Sequence, residues 1–265
     1  MSRTYVITGA ASGIGKATAD LLKAAGHRVV GVDLANADVN ADLSNSSGRV
    51  EAVNGAIDAA DAKVDAVIVC AGLAHPIPKT VSVNYFGATE FLNGMNSVLS
   101  ESKAPRAVVI SSMASLQPAH PVLLAAMVAD DEPSALQAAQ ALVDQGGGIE
   151  QMIYGTTKRA LSRWVRRECI KDQWAKSGIP LNAIGPGIVR TPMTAEMIAT
   201  EEARAGLDQV VPMPLNYYLE PAQVGKLLIW LASEENTHVT GQTIYIDGGS
   251  DAALRGENIW DLATS

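Results

Sequence analysis

Tyr154 and Lys158 stand four residues apart in the segment YGTTK, near the start of a helical pattern running to about Lys176. On a helix that spacing puts both side chains on one face. A free phenol, with a pKa of about 10, is a poor base at neutral pH, and a cation held beside it favours the phenolate. The pair therefore suits proton transfer to or from an alcohol or carbonyl oxygen. Tyrosine and lysine also meet at this spacing by chance, so the neighbours decide its meaning. Ser111 and Ser112 close the apolar run AVVI. A hydroxyl at such a strand end can donate to a carbonyl oxygen that is gaining charge, or simply cap the next turn. Asn84, in SVNYFGATE, is a further polar candidate, or a helix-interior amide bonded to backbone.

A second group of residues suits ligand binding. The segment TGAASGIG spans Thr8 to Gly15, with Gly9, Gly13 and Gly15 around Ser12 and Ile14. Glycines let a backbone turn sharply and approach a pyrophosphate, while the following helix offers free N–H groups and the positive end of its dipole. The spacing Gly-x-x-x-Gly-x-Gly differs from the common Gly-x-Gly-x-x-Gly, and it lacks the Lys-Ser/Thr of triphosphate loops and the Gly-x-Ser-x-Gly of hydrolase elbows. Asp33 follows Gly15 by 18 residues, where an acid can bond the adenine ribose hydroxyls and repel a 2′-phosphate. NAD is therefore expected over NADP. Asp42 closes the next short strand and could meet the adenine amino group; Leu34 and Leu43 follow the two acids as wall residues.

These candidates need a scaffold that brings strand ends together. Strands are expected at Thr4–Thr8, Arg28–Val32, about Asp38–Leu43, Asp65–Cys70, Ala107–Ile110, Leu181–Ile184 and Thr243–Ile246, and helices at Gly13–Ala25 and about Ser46–Ala60. Continuous apolar strands alternating with helices predict an α/β fold, a Rossmann-type doubly wound parallel sheet of about seven strands. Ligands then bind beyond the carboxyl ends of the strands, where the candidates fall. No linker or repeat divides the chain, so residues 1–265 are expected to form one domain.

Hydrophobic residues make up 48% of the 265 and charged residues 18%, enough for a large core. A formal charge of −8 argues against nucleic-acid and anionic-membrane partners. The two cysteines, Cys70 and Cys169, read as reduced thiols of a cytoplasmic protein. The four scattered histidines suggest no metal site, no apolar run approaches a membrane span, and a strand starting at about Thr4 leaves no room for a leader.

Thr8–Gly15, Asp33, Cys70-Ala71-Gly72, Asn84, Ser112, Tyr154 with Lys158, and Pro186-Gly187 together resemble the short-chain dehydrogenase/reductase family, in order and over nearly the full length. The resemblance implies a catalytic tetrad of Asn84, Ser112, Tyr154 and Lys158. Tyr154 would exchange the hydroxyl proton and Ser112 would polarise the carbonyl. Lys158 would bind the nicotinamide ribose and depress the tyrosine pKa, and Asn84 would hold a relay water. Ser112 is preferred to Ser111 because the family places its serine second. Ala71 and Gly72 would approach the cofactor, and the loop GPGIVRTP would hold the nicotinamide through Gly187, Val189 and Thr191. A homo-oligomer, dimer or tetramer, is also implied.

The chain departs from the family in two places. Val69-Cys70-Ala71-Gly72 replaces Asn-Asn-Ala-Gly, with Cys70 read as packing. Ser112 and Tyr154 are separated by 42 residues, where the family more often uses about a dozen. The extra length, about 118–148, contains helical patterns at Val122–Ala129 and Ser134–Gln145 and suits a lid or a subunit contact. These features are similar to the bacterial 3α-hydroxysteroid dehydrogenase/carbonyl reductase branch, which implies NAD-dependent interconversion of a secondary alcohol and a ketone. A substrate loop is expected at about 192–217, where Met193, Met197, Ile198, Met213, Leu215, Tyr217 and Tyr218 suit a small apolar alcohol or ketone; Arg190 is the nearest cation. A terpenoid, cyclic or aryl alcohol is an alternative substrate, and a non-catalytic dinucleotide-binding regulator is the alternative in kind.

Overall fold

Thr4 to Thr8 are buried along their whole length, as a strand covered on both faces must be. In the computed structural model, which describes residues 2–260, this strand, β1, lies in the interior of a sheet, paired on both edges. The others are β2 (Arg28–Asp33), β3 (Val39–Asn40), β4 (Ala66–Val69), β5 (Arg106–Ile110), β6 (Leu181–Pro186) and β7 (Thr243–Ile246). All pair in parallel, in the order β3-β2-β1-β4-β5-β6-β7. The sequence-predicted doubly wound sheet of seven strands is therefore the fold, with the short third strand reduced to two residues. The expected domain span of 1–265 runs past the described residues at both ends.

Alternation along each strand divides the core between two faces. Val6, Val67 and Val69 point to one side, and Tyr5, Ile7 and Ile68 to the other. The first face is covered by α2 (Ser46–Ala59), α4 (Ala88–Ser100) and α7 (Met152–Glu168). The second is covered by α1 (Gly13–Ala24) and α10 (Pro221–Leu231), whose Leu22, Val224, Leu228 and Leu231 are buried against it. Smaller helices are α3 (Pro78–Val81), α8 (Asp172–Ala175), α9 (Glu201–Val210) and α11 (Ser250–Arg255).

The segment between Ser112 and Tyr154 forms α5 (Pro121–Val128) and α6 (Glu132–Gln145), close to the two predicted patterns. Leu123, Met127, Ala135, Ala139 and Leu142 all join the first core face. Helix α7 corrects the sequence reading: it stops at Glu168 instead of reaching Lys176. Trp164 and Trp174 account for the break, since their rings meet edge to face with centroids 6.2 Å apart. Ten residues of unbroken helix would separate them by about 15 Å.

Among the described residues, no helix is long and apolar enough to cross a membrane, and no group of three or more His, Cys, Asp or Glu side chains converges as metal ligands do.

Candidate active site

The carboxyl ends of β1, β4, β5 and β6 open onto a crevice of about 550 Å³. Every residue singled out from the sequence for catalysis or cofactor binding lines it, with one exception, Asn84. The sheet brings together residues that lie as far apart in sequence as Gly9 and Thr191.

The glycine loop fits a dinucleotide pyrophosphate. Gly9 has φ +69°, and a Cβ there would stand 2.7 Å from Ala71 N; a Cβ on Gly15 would collide with the Gly9 carbonyl oxygen. Gly13 also has a positive φ, and a Cβ there would come within 3.5 Å of the Thr191 side chain. Ser12 occupies the N-cap of α1 without making a side-chain cap bond. The first N–H groups of that helix thus keep no side-chain acceptor and suit a phosphate oxygen.

Asp33 ends β2 beside this loop. One of its carboxylate oxygens accepts from Ala11 N at 2.9 Å and the other from Leu34 N at 2.7 Å. It thus braces the glycine loop as well as presenting charge to the crevice. Asp42 accepts from Ser44 N at 2.9 Å, the main cause of its lowered pKa, and meets Lys79 at 3.5 Å. Leu34 and Leu43 complete this end. Lys79, His75 and Ile77 also line the crevice. They were not legible as site residues, because the stretch after Gly72 carries no spacing that marks a ligand contact.

At the other end, Ser112 Oγ accepts the Ala114 N–H at 3.1 Å and caps a short 3₁₀ turn, Met113–Leu116. The capping reading of this serine therefore holds, and an oxygen that accepts that bond still carries an O–H to donate. Ser111 is spent elsewhere: its Oγ donates to Lys158 O at 3.0 Å and pairs with Ser162 Oγ at 2.8 Å. Tyr154 and Lys158 project from α7 on one face, with the Lys158 nitrogen 5.8 Å from the tyrosine ring centre. Lys158 is buried and donates to Ile110 O at 2.9 Å.

Electrostatics here corrects one expectation. Burial raises Tyr154 above the ordinary phenol value, and the Ser112 hydroxyl only partly opposes it. In the ligand-free protein, then, Lys158 does not leave the phenol acidified. Burial also pulls Lys158 down to about 8, partly resisted by the nearby Cys70. The Cys70 thiol is itself pushed up to about 12 by loss of solvation, which fits packing and not nucleophilic chemistry.

Asn84 lies one layer behind the crevice wall, in a single turn of π-helix, Ser82–Gly87. Its Oδ1 accepts from Leu73 N at 2.7 Å, and its Nδ2 donates to Leu73 O at 2.9 Å and Thr157 Oγ1 at 3.3 Å. The alternative of an amide bonded to backbone describes it, though in a π turn and to a distant segment. Gly72 sits against it: a Cβ there would be 3.3 Å from Asn84 Oδ1 and 3.7 Å from Lys158 Nζ.

The loop after β6 is pinned by a parallel bridge between Val189 and Leu219, and Thr194 Oγ1 donates to Val189 O. Of the apolar residues expected near the substrate, Met193 lines the crevice, while Ile198, Met213 and Tyr218 pack near Tyr154 with Met113, Ala114, Ile188 and Val211. Leu215 and Tyr217 are exposed; Tyr217 faces a separate depression with Arg190, Arg204 and Asp208. Half of the expected 192–217 loop forms a 3₁₀ turn, Glu196–Ile198, and α9.

A family model described as enoyl-(acyl carrier protein) reductase matches residues 9–251. The 3-alpha-hydroxysteroid dehydrogenase/carbonyl reductase of Comamonas testosteroni is 36% identical over 256 residues, covering 94% of this chain and 97% of that protein. The crystal structure of the 3-alpha-hydroxysteroid dehydrogenase from Pseudomonas sp. B-0831 complexed with NADH superposes with a TM-score of 0.87 at 35% identity, covering 96% of this chain and 99% of that one. Levodione reductase, 21% identical with a TM-score of 0.74 over 95% and 98% of the two chains, shares the fold.

Proposed function

Because the chain belongs to the short-chain dehydrogenase/reductase family of oxidoreductases, we propose that it interconverts a secondary alcohol and a ketone with NAD on an apolar, steroid-like substrate. One observation carries this reading: the glycine loop, Ser112, Tyr154 and Lys158 all face a single crevice.

When bound, the nicotinamide supplies or accepts the hydride. The chain's own groups manage the proton and the oxygen. In reduction, the Tyr154 hydroxyl gives its proton to the carbonyl oxygen as that oxygen becomes an alkoxide; in oxidation, it takes the proton back. Ser112 donates its free O–H to the same oxygen and stabilises the developing charge. Lys158 is held by one bond to Ile110 O, leaving its other N–H groups for a ribose hydroxyl and its charge to stabilise a tyrosinate. Asn84 acts through Leu73, since both its polar atoms are engaged there.

NAD is favoured over NADP because the Asp33 carboxylate faces the crevice and the cation at that end, Lys79, is paired with Asp42. The 35%-identical hydroxysteroid dehydrogenase with bound NADH supports the same choice. Steroid-like size and polarity are supported by that relative and by the one at 36% identity, together with Met193, Ile198 and Met213 near Tyr154. A homo-oligomer in a cytoplasmic setting, built from one domain over 1–265, belongs to the same reading.

The test is NADH formation at mildly alkaline pH across 3α-hydroxysteroids, cyclic alcohols and aryl carbinols. Turnover of the steroids is expected. Turnover confined to the smaller alcohols would replace the substrate, and coenzyme binding without turnover of any of them would leave a non-catalytic binder.

A further inference from the structure

The α5–α6 insertion is tied by polar bonds to the π turn that carries Asn84. Tyr85, the next residue, is buried, and its hydroxyl donates to Asp130 Oδ1 at 3.0 Å, at the junction of α5 and α6. Asp130 holds a left-handed backbone, φ +55°, and its other oxygen meets Arg167 of α7 at 3.3 Å. A second tie starts two residues further on. Glu132 takes both terminal nitrogens of the buried Arg49, at 2.7 and 2.6 Å. The same guanidinium donates to Ser82 O, where the π turn begins, and to Leu43 O in the crevice wall, while Glu90 accepts from it at 2.8 Å. All five guanidinium donors are thereby used. A π turn is an irregular, costly conformation that needs support from its surroundings.

We infer that the insertion is an internal brace: Asp130 through Tyr85, and Glu132 through Arg49, are positioning residues that hold the π turn, so that Asn84 fixes the Gly72–Leu73 wall beside Lys158. The apolar faces of α5 and α6 are spent on the chain's own core, consistent with support in place of movement. The part of the inference that concerns coenzyme rests on the proposed function; the part that concerns Asn84 does not.

Backbone hydrogen exchange separates the two. The Leu73 amide is protected by Asn84, so it reports the turn directly. Tyr85→Phe and Asp130→Gly remove one bond from its two ends, and glycine keeps the left-handed backbone; Asp130→Asn keeps an acceptor and also tolerates that backbone. In Tyr85→Phe and Asp130→Gly the Leu73 amide should exchange about tenfold faster, with Val67–Val69 unchanged, and NADH should dissociate at a several-fold higher concentration. Asp130→Asn should stay within about twofold of the parent on both readouts. Unchanged Leu73 exchange in the first two variants, or equal acceleration in all three, would overturn the brace. Failure of the parent protein to bind NADH would overturn the coenzyme reading and leave the exchange result to decide the brace.

Discussion

The Lys158 ammonium lies 5.8 Å from the centre of the Tyr154 ring while its hydrogen bond goes to the Ile110 carbonyl, not to the phenol. No direct bond therefore joins the lysine to the phenol, which in the ligand-free protein is governed by its burial and by Ser112.

Replacing the phenol alone tests its part in the proton transfer. Tyr154→Phe should cut turnover by at least about a thousandfold, since a positioned proton donor and its charge stabilisation are both lost. NADH affinity, measured by fluorescence titration, should stay within a few-fold. Retained turnover would exclude Tyr154 from the proton transfer.

The pH profile follows from the two shifts. Tyr154 sits above its ordinary value in the free protein, so alcohol oxidation, which needs the phenolate, should rise about tenfold per pH unit through neutrality. Lys158 loses its proton as pH rises through about 8. Above that point the oxidation profile should bend over, and ketone reduction, level at lower pH, should decline. Steady-state kcat/KM in both directions checks this; an oxidation optimum on the acid side of neutrality would contradict it.

The same lysine costs stability. Its folded-state pKa of about 8 lies below the ordinary lysine value of 10.5, so between those values the unfolded chain binds more protons and stability climbs with pH. Below about pH 8 the full cost applies, roughly 3 kcal/mol, offset by about 1 kcal/mol for the bond to Ile110. Lys158→Met should thus unfold about 2 kcal/mol later at pH 7, with the gain fading toward pH 10.5, and should be inactive. Denaturant melts at the two pH values decide the matter; destabilisation at pH 7 would refute it.

Asp33→Asn separates charge from shape. The amide oxygen can still accept from Ala11 N or Leu34 N, so the glycine loop should persist. Loss of the carboxylate should weaken NAD about tenfold and narrow its advantage over NADP. Parallel titrations with both coenzymes measure this, and a parent protein that already prefers NADP would reverse the assignment.

The sheet was legible because its strands are short, continuous and apolar, and the glycine loop because only backbone without a Cβ fits between Gly9, Gly15 and Ala71. Helical spacing and a strand end offered Tyr154, Lys158 and Ser112 only as candidates, and their roles came from the family resemblance of the motifs around them. What escaped is tertiary. Trp164 and Trp174 break α7 by packing on each other, a contact no periodicity reveals. The raised phenol pKa depends on burial, which four-residue spacing does not encode. Arg49 looks like an ordinary surface arginine in sequence, and only the arrival of Glu90, Glu132 and two carbonyl groups makes it a buried junction.

Strand order has a consequence for a chain emerging from the ribosome. After β1, the next two strands are added outward on one side, and β4 through β7 are then added one by one on the other. No strand has to be threaded between two that are already paired. Each newly made segment finds an open edge waiting for it, and the phosphate cradle at β1 can form long before the tyrosine helix has been translated.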